Sequence, residues 1–172
     1  ITSSLDKIRK LDSLGAGAIV LKSLFEEQIS HETGRNLEGS DYPEAFDYVK
    51  AYTRENSVSE FLNLIRDAKR AVNIPIIASI NCISATEWMV FATHMQEAGA
   101  DALELNVFFL PVNKEKSAQD YEKIYFDLLE GIRKKISIPL IIKLGYHFTN
   151  LTYLVNQLYF RKANGVVLFN RF

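Results

Sequence analysis

Short apolar runs alternate with longer segments of helical periodicity along this chain, and that alternation constrains the fold more than any other feature. The runs are continuously apolar rather than alternating with polar residues, so each predicted strand must bury both of its faces. Strands of this kind occur in parallel sheets that helices cover. The sequence therefore predicts an α/β fold with five parallel strands, marked by Ala18, Ile76, Ala102, Leu140 and Val166.

The segments between the runs carry helix-start signals. Pro43 is a favourable first helical residue, and the pairs Ser57 with Glu60 and Ser84 with Glu87 have the spacing of capping boxes. They predict separate helices beginning near residues 43, 57 and 84, in addition to helices near residues 5, 118 and 149. Residues 26 to 42 lack a clear period, which predicts a long loop.

The dipeptides that precede the strands repeat along the chain. Gly-Ala or Ile-Pro stands at 17–18, 74–75, 99–100 and 138–139. This repetition favours a parallel (β/α)8 TIM barrel over a doubly wound sheet. Since five strands cannot close such a barrel, residues 1–172 are interpreted as a single partial TIM-barrel domain of about five βα units.

Composition excludes several classes of protein. A net charge of −1 over 172 residues gives no electrostatic footprint for nucleic acid or for an anionic membrane surface. The single cysteine, Cys82, rules out an internal disulfide framework and a cysteine-rich zinc site. No apolar run is long enough to cross a bilayer, and the first residues lack the layout of a signal peptide. We therefore expect a cytoplasmic protein with no metal site.

Polar residues follow every predicted strand. Because parallel strands place their carboxyl ends on one side of a sheet, these residues should share one rim. A single lysine there is more simply explained by its reach to water, but five polar ends together predict a ligand site. The central strand adds Glu104, which also needs polar surroundings. The strand-end residues are Lys22, Ser23, Asn81, Cys82, Asn106, Lys143, Asn170 and Arg171.

The residue types at this rim suggest two chemistries. Two lysines and several amides suit an electron-rich planar ligand such as a flavin, because a positive charge near the N1 and O2 edge stabilises the reduced anion. A lysine in a barrel can also act as a Schiff-base nucleophile, and Lys143 would then be the candidate. The residue types alone leave both chemistries open.

Four segments, taken in order, resemble the dihydroorotate dehydrogenase family. They are Gly-Ala-Gly-Ala-Ile-Val-Leu-Lys-Ser (15–23), Ile-Pro-Ile-Ile-Ala-Ser-Ile (74–80), Gly-Ala-Asp-Ala-Leu-Glu-Leu-Asn (99–106) and Ile-Pro-Leu-Ile-Ile-Lys-Leu (138–144). The closing residues 164–172 fit the family's next strand. The resemblance covers nearly the whole chain, although each motif is weak alone.

The resemblance implies an FMN-dependent oxidoreductase that converts dihydroorotate to orotate in pyrimidine biosynthesis. By position, Lys22, Ser23, Asn106 and Lys143 would bind the cofactor. Asn106 and Asn170 would contact a small-molecule substrate. A homo-oligomer is a further expectation, since a second copy could supply the strands that a closed barrel needs.

Two departures from the family open an alternative. Phe109 stands where the family has a Cys or Ser base, and a phenyl ring cannot accept a proton. His147, which follows Lys143 at the rim, is the substitute catalytic candidate because histidine is the residue type best suited to exchange protons in catalysis. The family's glycine-rich phosphate-binding turns also find no match here. The sequence is thus compatible with a divergent enzyme or with a non-catalytic flavin- or ligand-binding barrel module.

Overall fold

The computed structural model describes residues 2–25, 43–82 and 85–170. The expected loop at 26–42, the Ser84 cap and Arg171 lie outside the described residues. The helices are α1 (Leu5–Ser13), α2 (Pro43–Ala71), α3 (Ala85–Glu97), α4 (Ala118–Arg133) and α5 (Leu151–Phe160). The strands are β1 (Ile19–Val20), β2 (Leu24–Phe25), β3 (Ile76–Asn81), β4 (Ala102–Asn106), β5 (Leu140–Leu144) and β6 (Gly165–Leu168).

The strands form one parallel sheet in the order β1-β3-β4-β5-β6, with β2 also paired to β3. Both β1 and β2 lie along the same edge of β3, so the first predicted strand is present but interrupted. From β2 onward a helix lies between each strand and the next along the chain, as parallel pairing requires. The predicted α/β class and parallel sheet are confirmed.

The central strand β4 is buried along its whole length, and its two faces differ in chemistry. Leu103 and Leu105 are fully buried and belong to the apolar core, together with Phe91 of α3 and Leu129 of α4. Glu104 lies on the opposite face, since side chains alternate along a strand. This second face, called the polar face below, carries the candidate site.

Helix α2 runs without a break from Pro43 to Ala71. The prediction of a second helix that begins near Ser57 is therefore wrong, although Pro43 is confirmed as the first residue. Neither Gly nor Pro occurs between Glu44 and Ala71, so no residue there removes a backbone hydrogen bond or weakens the helix. Ser57 and Glu60 are interior residues of this helix.

Polar side chains hold the amino ends of the strands. Asp101, just before β4, accepts a hydrogen bond from the Ile76 backbone N–H at 2.7 Å. Asn164, just before β6, accepts one from the Leu140 N–H at 2.9 Å. Each side chain thus ties the start of its own strand to the start of the preceding one. In parallel barrels this end of the sheet serves stability, whereas the opposite end carries function.

Asp101 also binds α2, because both of its carboxylate oxygens accept from Lys69 Nζ, at 2.8 and 2.7 Å. The turn that delivers it depends on Gly99, whose φ of +95° is in the left-handed region that glycine adopts without strain. The Gly-Ala-Asp sequence at 99–101 therefore joins α3, β4, β3 and α2.

We expect Asp101→Ala to lower the free energy of unfolding by about 1–3 kcal/mol, because the substitution leaves the Ile76 N–H without its acceptor. The control is Asp67→Ala, which removes an exposed ion pair to Arg70 with atoms 3.6 Å apart and should cost less than about 1 kcal/mol. Urea unfolding of both variants provides the measurement. Equal losses would show that Asp101 is an ordinary surface carboxylate.

Candidate functional site

Strand register brings the predicted polar residues onto one face. Ser79 of β3 stands opposite Glu104 of β4, and Asn106 of β4 stands opposite Lys143 of β5. Residues two apart on a strand share a face, so Glu104 and Asn106 point to the same side. These four side chains lie toward the carboxyl ends of three neighbouring strands, where parallel α/β proteins bind ligands.

A chain of hydrogen bonds, called the polar relay below, connects three of these side chains, Ser79, Glu104 and Asn106, with Ser23 and Asn170. Asn170 Nδ2 donates to Asn106 Oδ1 at 2.7 Å. Asn106 Nδ2 donates to Ser23 Oγ at 3.2 Å. The Ser23 and Ser79 hydroxyl oxygens are 2.7 Å apart, and Ser79 Oγ donates to Glu104 Oε1 at 2.6 Å.

The direction of the polar relay follows from its last bond. A serine hydroxyl has one hydrogen, and that of Ser79 is committed to the Glu104 carboxylate. Ser23 must therefore donate to Ser79, and it in turn accepts from Asn106. Every donor in the relay thus points toward Glu104, so the carboxylate is its terminal acceptor.

The segment formed by β1 and β2, called the edge strand below, contains one extra residue next to Ser23. Val20 pairs with Ile77 and Leu24 pairs with Ile80, so four steps along the edge strand match three steps along β3. An insertion of this kind is a bulge, which re-aims the side chains that follow it. Ser23 falls within this interval, and its hydroxyl reaches Ser79.

Lys143 approaches the same carboxylate from β5. Its Nζ lies 3.9 Å from Glu104 Oε1, and its side chain is 24% exposed whereas that of Glu104 is 5% exposed. The ammonium therefore balances a buried negative charge and still has access to solvent. A ligand on the polar face would meet a fixed positive charge next to the amide of Asn106.

Four of these residues were predicted from the sequence, and the structure brings them together: Ser23, Asn106, Lys143 and Asn170. Glu104 was also expected to need polar surroundings, whereas Ser79 was not predicted. The available signal was a hydroxyl within the otherwise apolar segment 76–80, in phase with Glu104 on the next strand.

Lys22 and Asn81 have a different position. Lys22 is exposed, and among the described contacts none joins it to the polar relay. Asn81 ends β3 half-buried, beyond Ser79 on the same face. These two residues lie at the same end of the sheet as the cluster without forming part of it.

His147 packs at the end of β5 among aromatic rings. Its ring centroid is 4.7 Å from that of Tyr146 and 5.6 Å from that of Phe108. Its Nε2 is buried without a hydrogen-bond partner and stands 2.8 Å from where a Cβ on Gly145 would be. A side chain at 145 would therefore push the imidazole away from its present position beside Gly145.

Phe109 is directed into the helical layer. Its ring meets Tyr125 of α4 edge-on, with centroids 6.2 Å apart, and it borders an apolar groove with Trp88 and Leu128. Burial raises the pKa of the Tyr125 hydroxyl, which donates to the Val107 carbonyl at 3.4 Å. The side chain at 109 therefore packs between strand and helix rather than over the polar face.

Two further observations concern metals and membranes. In residues 2–25, 43–82 and 85–170, no three His, Cys, Asp or Glu side chains are grouped so that they could hold a metal ion. None of the helices described there has the length and apolar composition needed to span a bilayer.

The fold and the site together define an α/β chain of barrel type, with a polar cluster at the carboxyl ends of its parallel strands. No family model matches the sequence. It is 27% identical to the catalytic subunit of dihydroorotate dehydrogenase B (NAD(+)) from Thermoplasma volcanium, over 95% of this chain and 52% of that protein. The subunit of the same name from Thermoplasma acidophilum is 29% identical, over 91% of this chain and 50% of that protein. The resemblance to the dihydroorotate dehydrogenase family is confirmed, and the chain spans about half the length of these relatives.

Solved structures support the barrel type. Dihydrodipicolinate synthase from Agrobacterium tumefaciens superimposes with a TM-score of 0.60 at 17% identity, over 94% of this chain and 46% of that one. A putative dihydrodipicolinate synthetase from Pseudomonas aeruginosa gives a TM-score of 0.59 at 15% identity, over 94% and 47% of the two chains. At such identities the likeness shows the fold alone, and the chain corresponds to a little under half of each structure.

We expect Ser79→Ala to lower the free energy of unfolding by about 1–3 kcal/mol, because it leaves Glu104 without a donor and Ser23 without an acceptor in a buried place. The control is Ser13→Ala, since the exposed Ser13 hydroxyl only donates to the Lys10 carbonyl of its own helix and should change stability by less than about 0.5 kcal/mol. The measurement is urea unfolding of the two variants, whose midpoints give the difference in stability. A Ser79 variant as stable as the Ser13 variant would contradict the relay.

Proposed function

We propose that this chain is part of an FMN-dependent oxidoreductase resembling dihydroorotate dehydrogenase. The observation that carries the proposal is the cluster of Ser23, Asn106 and Lys143 on the polar face, because these are the positions at which the family resemblance implies cofactor contacts. The 27–29% identity to two dihydroorotate dehydrogenase catalytic subunits supports the same class of reaction.

The residues present fit a flavin ring. An isoalloxazine offers carbonyl oxygens and ring nitrogens in one plane, and it needs donors and a positive charge on its pyrimidine side. Lys143 supplies a charge with solvent access, and Asn106 supplies the second N–H of its amide. Ser23 has given its one hydrogen to Ser79, so it offers an acceptor oxygen only. We extend the proposal to Lys22, which is exposed at the same end of the sheet.

A flavin supplies hydride acceptance when it is bound. The chain's own residues would orient the ring and the substrate. Lys143 is held beside Glu104 and would keep its ammonium at the pyrimidine edge of the ring. Asn106 and Asn170 share a 2.7 Å hydrogen bond, so they would present their remaining polar atoms to a substrate as one unit.

The proton-accepting group is where we expect this chain to diverge from the family. Phe109 cannot accept a proton and packs against Tyr125. Replacing it with cysteine would thus place a thiol in the helical layer. We propose His147 as the base candidate, because its Nε2 has no hydrogen-bond partner and its ring lies at the end of the strand that carries Lys143.

We also propose a small-molecule substrate, with dihydroorotate as the first compound to test, and a role in pyrimidine biosynthesis. A cytoplasmic location and a homo-oligomeric state are likewise proposed. The alternative is a non-catalytic flavin- or ligand-binding module, which the phenyl ring at position 109 favours.

We expect the purified protein to bind FMN and Lys143→Gln to bind it at least about tenfold more weakly, because the variant loses a charge-assisted contact of roughly 1.5–3 kcal/mol. Lys135→Gln, at an exposed position after α4, should bind as the parent does. FMN fluorescence quenching gives the affinities. Equal affinities in the three proteins would remove Lys143 from the cofactor site.

Anaerobic addition of dihydroorotate to the FMN-loaded protein then separates the functions. Bleaching of the flavin absorption band would support the dihydroorotate reaction. A bound flavin that dihydroorotate does not reduce would point to another substrate. Failure to bind FMN would overturn the oxidoreductase proposal in favour of the ligand-binding module.

A further inference from the structure

The four strands β3 to β6 contain two charged residues, Glu104 and Lys143. They lie on the polar face of two neighbouring strands, because Glu104 pairs with Ile141 and Asn106 pairs with Lys143. The other polar residues that these strands contribute to this face are neutral. The charge that the strands present to a ligand therefore depends on this one pair.

The two charged groups attract each other without forming a hydrogen bond. Lys143 Nζ lies 3.9 Å from Glu104 Oε1, which is too long for a hydrogen bond but close enough for Coulomb attraction at a site with little access to solvent. Within residues 2–25, 43–82 and 85–170, no acceptor takes a hydrogen bond from this ammonium. Its N–H groups are thus available to a ligand, although its charge is already partly balanced.

Glu104 is held in place independently of Lys143. Its Oε1 accepts a hydrogen bond from Ser79 Oγ at 2.6 Å, and its side chain is more deeply buried than that of Lys143. The carboxylate is therefore the fixed member of the pair, whereas the lysine side chain is long and flexible. A negative charge fixed in the central strand keeps the ammonium over the polar face instead of extended into solvent.

A balanced pair favours a ligand that is neutral when it binds. An isolated ammonium would attract anions, whereas a face with little net charge lacks that preference and still offers N–H donors. The ring of an oxidised flavin is neutral. When the ring accepts two electrons and one proton, one negative charge remains near its N1 and O2 edge, and a nearby positive charge stabilises it.

We propose that Glu104 is a positioning residue of this site that acts through Lys143. It holds the ammonium over the polar face and cancels part of its charge. The face therefore prefers a neutral ring to an anion, and it stabilises a reduced flavin less than an isolated lysine would. This inference rests on the proposed flavin function and adds to it a residue that lowers the reduction potential of the bound cofactor.

The first test is the midpoint potential of FMN bound to the protein, measured by anaerobic titration with dithionite against a reference dye. Glu104→Gln removes the negative charge and keeps an oxygen that can accept from Ser79. It should bind reduced FMN roughly tenfold more tightly relative to oxidised FMN, which is a rise of about 30 mV for a two-electron couple. A potential equal to or below the parent value would overturn the proposal.

The matched control is Glu130→Gln, which removes the same charge from an exposed ion pair with Arg161, whose atoms are 3.1 Å apart. We expect it to leave the potential of the bound FMN unchanged. An equal rise in the Glu104 and Glu130 variants would reduce the effect to the net charge of the protein and overturn the role of Glu104.

Glu104→Asp separates the charge of the side chain from its hydrogen bond. The variant keeps the carboxylate, but its side chain is shorter and withdraws from Ser79. If Glu104 acts through its charge, the potential of the Asp variant should lie closer to the parent value than that of the Gln variant. The opposite order would show that Glu104 acts only through its hydrogen bond to Ser79, and the proposal would be wrong.

A measurement without flavin tests the same charge balance. Sodium sulfate is titrated into the ¹⁵N-labelled protein at constant ionic strength adjusted with sodium chloride, and the side-chain amide signals of Asn106 and Asn170 report binding. Glu104→Gln should bind sulfate at least about tenfold more tightly than the parent, because its Lys143 has no opposite charge nearby. Adding Lys143→Gln to that variant should abolish the gain. If Glu104→Gln binds sulfate no better than the parent, Glu104 does not balance Lys143.

The two measurements distinguish failure of this inference from failure of the proposed function. If the parent protein does not bind FMN, the oxidoreductase proposal is overturned and the effect on reduction potential falls with it. The sulfate titration then decides whether Glu104 controls the charge of the polar face. If the parent binds FMN and Glu104→Gln leaves the potential unchanged, the cofactor proposal stands and this role of Glu104 is excluded.

Discussion

The buried carboxylate of Glu104 is the constraint on which the polar face depends. A charge in the central strand of a covered sheet is tolerated only when other groups compensate for its lost hydration. Ser79 supplies a short hydrogen bond and Lys143 supplies an opposite charge. Because Ser79 is thereby committed as a donor, the hydrogen bonds of Ser23, Asn106 and Asn170 acquire their direction. The arrangement of the site is thus a consequence of one acidic residue in an otherwise apolar strand.

The sequence was sufficient to predict that polar strand ends share one rim, although it missed Ser79, because strand register determines that placement. Parallel strands bring their carboxyl ends together whatever the details of the helices, so Asn106, Lys143 and Asn170 could be placed at one rim in advance. Ser23 was placed there too, but the bulge that turns it toward Ser79 depends on how many residues pair on each strand. Local patterns do not encode that number.

Other features escaped prediction for equally physical reasons. A capping pattern at Ser57 and Glu60 is a local preference, and the uninterrupted helix-forming residues around it outweigh that preference. Sequence similarity and structural similarity also give different information. The Thermoplasma relatives have identical residues at 27–29% of the aligned positions, whereas the synthase structures share the backbone fold at only 15–17% identity.

The polar relay joins residues that are far apart in the chain. Asn106 is 83 residues from Ser23 and 64 residues from Asn170, and its amide binds both. Contacts of such long range must overcome the entropy of closing a long stretch of chain, so they form less readily than local contacts. The edge strand, the central strand and the segment after β6 must all be in place before this hydrogen-bonded array exists. A ligand would therefore bind this face only after the sheet has formed completely. A partly folded chain would lack the hydrogen-bonded array and would not bind the ligand.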